Sequence, residues 1–178
     1  NIIRHPEMPG GAFKAMWDPL KAGSPFAAYV RNLAADGSEY DVFATVTPLS
    51  DGGYLSVRTR PVCSDLFDTA CAIYRDARAT EDQAIDGGAN RRAAAEEGLG
   101  RIAEMLAGAG LSSYEEFQNT ALPAEVARRE ELSDGIPVRP GATGNLRVML
   151  ESVTTIATGL DSWMSGQQQL AELSASLK

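Results

Sequence analysis

From Leu146 to the end of the chain, apolar side chains recur every three and four residues. Written as heptads, the a positions are Leu146, Val153, Leu160, Gln167 and Ser174. The d positions are Met149, Ile156, Trp163, Leu170 and Leu177, and eight of these ten are apolar. A strand repeats every two residues and cannot carry such a stripe, so the segment is expected to be one long helix. At about 1.5 Å per residue it spans roughly 50 Å. Gly159 and Gly166 each lower its intrinsic stability by roughly 1 kcal/mol, so the stripe needs a partner surface. That partner is a second copy of the chain, giving a homodimer, or a neighbouring hairpin; the alternative is an ordinary core helix of a compact domain.

Ahead of this helix the chain changes character near residue 62. Residues 1–62 carry six Lys/Arg and six Asp/Glu, whereas residues 63–178 carry ten and eighteen, so the whole net charge of −8 lies in the second part. An acidic chain of this kind lacks the basic face that phosphate binding needs, which argues against a nucleic-acid partner. The 178 residues are enough to bury a core without metal or disulfide staples. A single histidine, His5, and two cysteines, Cys63 and Cys71, rule out a multi-histidine metal centre and a four-thiolate zinc site. Any Ser-His-Asp or Cys-His machinery has to run through His5. No run approaches the roughly 20 apolar residues of a membrane span, and the two cysteines read as reduced thiols of a cytoplasmic protein. The chain opens abruptly on a residue other than methionine and reads as a fragment.

The first part reads as one helix followed by an antiparallel meander. Pro9 suits a first helical turn, and Phe13, Met16, Trp17 and Leu20 share one face before Gly23 and Pro25 end the helix. Phe26–Leu33 is an apolar-rich run closed by the turn pair Asp36-Gly37. Tyr40–Thr47 alternates with period two until Pro48, and after Asp51-Gly52-Gly53 a third strand runs over Tyr54–Arg60. The second part reads as helices over Ser64–Ala79 and Ala93–Ala107, separated by Gly87-Gly88. Ser112-Ser113-Tyr114-Glu115 has capping-box spacing from Ser112 to Glu115. A short helix is expected there, and Pro123 is expected to begin another that ends at Ser133-Asp134-Gly135. Residues 136–144 read as a loop.

The most unusual local composition is Arg4-His5-Pro6-Glu7-Met8-Pro9-Gly10-Gly11. Two adjacent donors precede a helix start, where free N–H groups and the positive dipole end gather, so an anion site for a phosphate or pyrophosphate is one reading. Phe13 and Trp17 on the next turns suit contact with a flat ring, and Glu7 suits a ligand hydroxyl or the orienting of His5. A polar, solvated turn is the other reading. No GxGxxG or GxxxxGK[ST] occurs, and no carboxylate pair is marked by spacing as an acid/base couple, so catalysis is not expected.

Asn1–Pro9, Ala12-Phe13, Met16-Trp17 and Leu20–Phe26 together resemble the aerotaxis-receptor type of PAS domain. The resemblance continues through Tyr29–Asn32, Asp36-Gly37, Tyr40, Val46–Pro48 and Gly53–Pro61, over about 60 residues. It implies that residues 1–62 are the C-terminal part of a PAS sensor domain. It also implies FAD as a cofactor, held by Arg4, His5, Glu7, Phe13, Trp17, Phe26 and Asn32. The family's usual aspartate is Glu7 here, its tryptophan after Gly-x-Pro is Phe26, and its Tyr-Trp-Val reads Tyr40-Asp41-Val42. The strands that open a PAS domain are not in this sequence and would be supplied from before Asn1 or by another chain.

Ser113–Phe117, Leu122–Arg128, Leu160–Trp163 and Leu170–Leu173 resemble the helical segment between a PAS domain and the methyl-accepting hairpin of cytoplasmic chemoreceptor-like transducers. The expectation is therefore an α+β chain in four parts. A partial PAS domain at 1–62 precedes a helical linker at 63–135, a loop at 136–144 and a long helix at 145–178. Its implied role is the sensory input of a bacterial chemoreceptor-like transducer, reporting redox, oxygen or energy state through flavin. Its partners would be a second copy, a downstream signalling domain and the chemotaxis kinase machinery. A ligand-free PAS module for dimerisation or protein interaction is the rival.

Overall fold

The computed structural model describes residues 4–132 and 139–176. In chain order the elements are α1 (Gly10–Lys21), β1 (Phe26–Leu33), β2 (Glu39–Pro48), β3 (Tyr54–Thr59), α2 (Ser64–Asp86), α3 (Arg91–Gly108), α4 (Tyr114–Leu132) and α5 (Gly144–Ser176). The fold class is α+β, and the chain divides into two compact units, Asn1–Glu131 and Leu132–Lys178.

The sheet is the expected meander, ordered β1-β2-β3 with both pairs antiparallel. Its register places Ala28 opposite Ala44, Tyr29 opposite Phe43, and Thr45 opposite Val57. The first hairpin closes on Asp36, whose Oδ1 accepts from the Ser38 N–H at 3.0 Å and from its hydroxyl at 2.6 Å. Gly37 takes the positive φ of 84° that the turn requires. Alternation along β1 gives each face its own packing. Phe26 and Ala28 close on Leu20, with Met16 and Val30 at the margin. Tyr29 turns the other way onto Phe43, Phe67 and Phe117, with ring centroids 4.9, 5.7 and 6.3 Å away.

That second packing runs through the compositional change at residue 62. One buried cluster joins Met8, Ala12, Tyr29 and Phe43 to Ala70, Ile73, Tyr74 and Ala77 of α2, Ile102 and Leu106 of α3, and Phe117 and Ala121 of α4. Burying each large member stabilises the fold by about 1.5–3 kcal/mol, so the sheet and α2–α4 share the same source of stability. Ion pairs on the rim add register: Lys14 of α1 reaches Glu96 of α3 at 3.3 Å, and Arg101 of α3 pairs with Asp76 of α2.

Three local expectations are corrected. Pro9 is the N-cap of α1 and not its first helical residue, and it offers no capping side chain. The capping box at the start of α4 is shifted by one residue. Ser113 Oγ accepts from the Glu116 N–H at 3.1 Å, and Glu116 reaches back to the Ser112 N–H at 2.6 Å. Pro123 does not start a helix; it sits inside α4. Its ring removes one backbone bond, but the stripe Phe117, Ala121, Glu125 that α4 buries continues through it. The expected helix end at 133–135 and residues 136–138 of the expected loop lie outside the described residues; 139–143 are non-helical, as expected, and Gly144 already begins α5. α5 is one continuous helix of 33 residues, and its Met149, Ile156 and Trp163 are all more than 60% exposed.

Candidate functional site

Helix α1 begins without a local cap, since Pro9 has no side-chain donor or acceptor and Gly10-Gly11 follow it. Four N–H groups at a helix start need partners. Here α2 supplies one: Glu81 Oε2 accepts from Gly10 N–H at 2.8 Å, and Oε1 accepts from Gly11 N–H at 2.7 Å. Glu81 is only 3% exposed, and Arg78 lies 3.3 Å from its Oε2. Glycines make the room. A Cβ on Gly98 of α3 would overlap the Glu81 carboxyl, and one on Gly11 would strike the Leu99 backbone nitrogen. Of the two readings of this helix start, the one with a phosphate or pyrophosphate on its free N–H groups is not what the structure shows: a carboxylate of the chain itself holds the N–H groups of Gly10 and Gly11.

The loop before α1 makes a second cluster at the far end of β1. Arg4 forms an isolated bridge to Asn32, donates to the Met8 carbonyl through Nε at 3.1 Å, and sets its guanidinium 4.4 Å from the Phe13 ring centroid. Burial is the largest influence on Arg4 and lowers its pKa, against the pull of Glu81. His5 is buried. Its Nδ1 accepts from the Glu7 N–H at 3.2 Å, so the network places the hydrogen on Nε2, which donates to Glu39 at 3.0 Å. Arg31 ties this loop to the hairpin through Glu7 at 2.6 Å, Glu39 at 2.6 Å and Asp41 at 3.2 Å. Burial works against its charge, but Asp41 and Glu39 outweigh it and raise the Arg31 pKa.

Of the seven residues expected to hold a cofactor, Arg4, His5, Glu7, Phe13 and Asn32 come together here. Phe26 lies further along β1, stacked 4.9 Å from Tyr114, and Trp17 sits on the rim, edge-on to Tyr54 at 5.5 Å. Phe13 and Phe26 also share the wall of a small hollow between α1 and β1, with Met8, Ala12, Met16 and Ala28. Arg4, His5 and Glu7 already have partners within the chain. Asn32 differs: it is 4% exposed, and its amide Nδ2 has no hydrogen-bond partner among the described residues. A buried amide without a partner costs about 1–3 kcal/mol, so it is the residue here that suits a ligand acceptor. The hollow measures about 20 Å3, room for a water molecule and not for an isoalloxazine ring. The donor chemistry of Asn32 fits a flavin's acceptor atoms, but the hollow, which Asn32 does not line, has no room for the ring.

Two buried carboxylates escaped the local patterns. Glu81 continues the buried stripe Ala70, Ile73, Tyr74, Ala77 of α2, and Glu125 continues Phe117, Ala121 of α4. An acid on an apolar stripe was the available signal, because a buried charge needs partners. Glu125 is 1% exposed and accepts from the Tyr29 hydroxyl, Val62 N–H and Cys63 N–H, each with a contact of 3.0 Å. Burial, then Glu125, push the Tyr29 hydroxyl strongly upward. Among the described residues no group of His, Cys, Asp and Glu suits a metal ion, and no helix is long and apolar enough to cross a membrane.

No protein-family model matches the chain. It is similar to the aerotaxis receptor of Escherichia coli (strain K12), with 42% identity over 64 residues. The matched stretch is 34% of this chain and spans 13% of that receptor's length.

Proposed function

We propose that this chain is the sensory input part of a chemoreceptor-like signal transducer. In this reading residues 1–62 are part of a PAS domain, and α2–α4 form the connection that takes its state toward a signalling module. The observation that carries the reading is the similarity to the aerotaxis receptor. The packing supports it, because the sheet and the connecting helices contribute to one buried core. The chain does no catalysis in this reading and works in the cytoplasm. It pairs with a second copy through the exposed stripe of α5 and passes its state to a downstream domain and the chemotaxis kinase.

The finer reading is redox or oxygen sensing through FAD. Its structural support is Asn32, a buried amide without a partner among the described residues. Arg4, His5 and Glu7 would add polar contacts at that end of β1, and Phe13, Trp17 and Phe26 would add ring contacts. A flavin supplies a ring whose hydrogen bonding changes on reduction. The chain's own part is to present the Asn32 amide, keep water out with Phe13 and Met16, and let α1 shift between two positions. The purified protein should be yellow and release flavin on denaturation; a colourless protein with no flavin in the denatured supernatant refutes the cofactor.

A second reading, a ligand-free module for dimerisation or protein interaction, is favoured by the 20 Å3 hollow and by the exposed apolar stripe of α5. Replacing Arg4 and His5 separates the two. Signalling survives if no ligand is held there and fails if one is.

A further inference from the structure

α1 is seated differently on its two sides. Against α3 it has no slack. Gly11 lies on the Leu99 backbone, a Cβ on Gly10 would come within 2.9 Å of Ala95 Cβ, and Lys14 reaches Glu96 at 3.3 Å. Against β1 it leaves the hollow of about 20 Å3. Glu81 then fixes the start of α1 to α2, with both carboxylate oxygens in use and Gly98 of α3 beneath them. Charge-assisted bonds of this kind are the stronger class, and this carboxylate is only 3% exposed, so water competes little for it.

We infer that Glu81 makes α1 and the α2–α3 hairpin one moving part, so that a shift of α1 away from β1 is carried to α3 through this carboxylate. The inference deepens the sensory reading, on which its biological meaning rests, by naming the contact through which a change at the sheet reaches the connecting helices. Glu81 is a positioning residue in this scheme. It touches no ligand and acts by holding α1 to its neighbours. The fold provides for it: α1 has no cap of its own, Gly98 leaves the space the carboxylate fills, and Gly11 lets α1 come down onto the α3 backbone. Packed elements of this kind respond as bodies and not by gradual deformation.

The test needs no ligand and no signalling assay, so it stands or falls separately from the sensory reading. Ala28→Leu overfills the hollow and pushes on α1 from the β1 side. In the 178-residue chain, amide resonances of Phe13–Leu20 and of Gly98–Ile102 should both move. With Glu81→Gln added, the α1 shifts should persist while those of Gly98–Ile102 fall by half or more. Glu81→Gln alone should speed hydrogen exchange at Gly10 and Gly11 on the order of tenfold. Val62 and Cys63, held by Glu125, should exchange as before and so report an intact fold. Glu81→Asp keeps the charge but falls short of α1, and should uncouple α3 by a second route. The inference is overturned if Gly98–Ile102 do not respond to Ala28→Leu, or respond equally with and without the Glu81 carboxylate.

Discussion

Glu125→Ala is the substitution whose cost follows most directly from the geometry. Glu125 Oε1 accepts from the Tyr29 hydroxyl and from Cys63 N–H, both at 3.0 Å, and Val62 N–H lies 3.1 and 3.0 Å from the two oxygens. Removing the carboxylate strands three donors that link β1, the β3–α2 junction and α4. Each buried donor left without a partner costs about 1–3 kcal/mol. Water reaching Val62 and Cys63, and the relief of burying one charge fewer, hold the sum toward its low end, at about 3 kcal/mol. Arg129 adds little, because it keeps the Arg60 carbonyl at 2.7 Å and Thr59 Oγ1 at 3.1 Å. Glu125→Gln retains one accepting oxygen and should cost about 1–1.5 kcal/mol. Glu131→Ala removes an exposed pair with Arg128 and should cost under about 0.5 kcal/mol. Urea unfolding followed by circular dichroism measures all three. With a slope of about 2 kcal/mol/M, Glu125→Ala moves the midpoint down by about 1.5 M. A loss below 1 kcal/mol, or one no larger than that of Glu131→Ala, would falsify the view that this carboxylate satisfies a buried donor set.

Three further outcomes follow from the same structure. Burial pushes Tyr74 up to about 12, against the effect of its hydrogen bond with Tyr114. The unfolded chain ionises this tyrosine first, near 10, so the stability it contributes is complete below pH 10 and is lost as pH rises toward 12; Tyr74→Phe should flatten that alkaline slope in unfolding measured across the range. Gly11→Ala places a methyl on the Leu99 backbone and should destabilise by about 1–3 kcal/mol, whereas Gly100→Ala, with nothing within 4 Å of its added carbon, should not; equal unfolding midpoints for the two would contradict the close α1–α3 crossing. Leu160→Asp puts a charge on the α5 stripe and should shift a dimer to monomer in sedimentation, with an unchanged mass counting against pairing there.

The strands were readable because their signals are local. Alternation over Tyr40–Thr47, and the Asp-Gly pairs on either side, set both turns and the face each side chain takes. The same locality explains the errors. Ser112–Glu115 and Ser113–Glu116 both satisfy the capping spacing. In the fold the register that forms is the one in which Tyr114 opens α4 and stacks on Phe26 of β1, a contact far away in sequence. Pro123 reads as a boundary from its ring alone, but the side chains on either side of it, Phe117 and Glu125, bind α4 to distant parts of the chain. The site divides in the same way. The Arg4–Glu7 composition pointed to a polar cluster, and one forms, but its partners Arg31 and Glu39 belong to the hairpin. The free N–H groups of α1 were foreseen; that Glu81 would take them was not, because no spacing rule connects residues 70 positions apart.

Those long separations bear on how the chain is made. Gly11 is translated 70 residues before Glu81, and Tyr29 is translated 96 residues before Glu125. At about 5–20 residues per second on the ribosome, the start of α1 waits roughly 4–14 s for its cap, and Tyr29 waits longer. Through that interval the meander exists as a nascent chain with its helix uncapped and its inner tyrosine unsatisfied. Synthesis halted at residue 62, where composition suggests a natural seam, leaves a product that lacks both carboxylates. Quality control by proteolysis would see such a product as unfinished, and only chains that reach the middle of α4 acquire the full set of contacts that close the sheet.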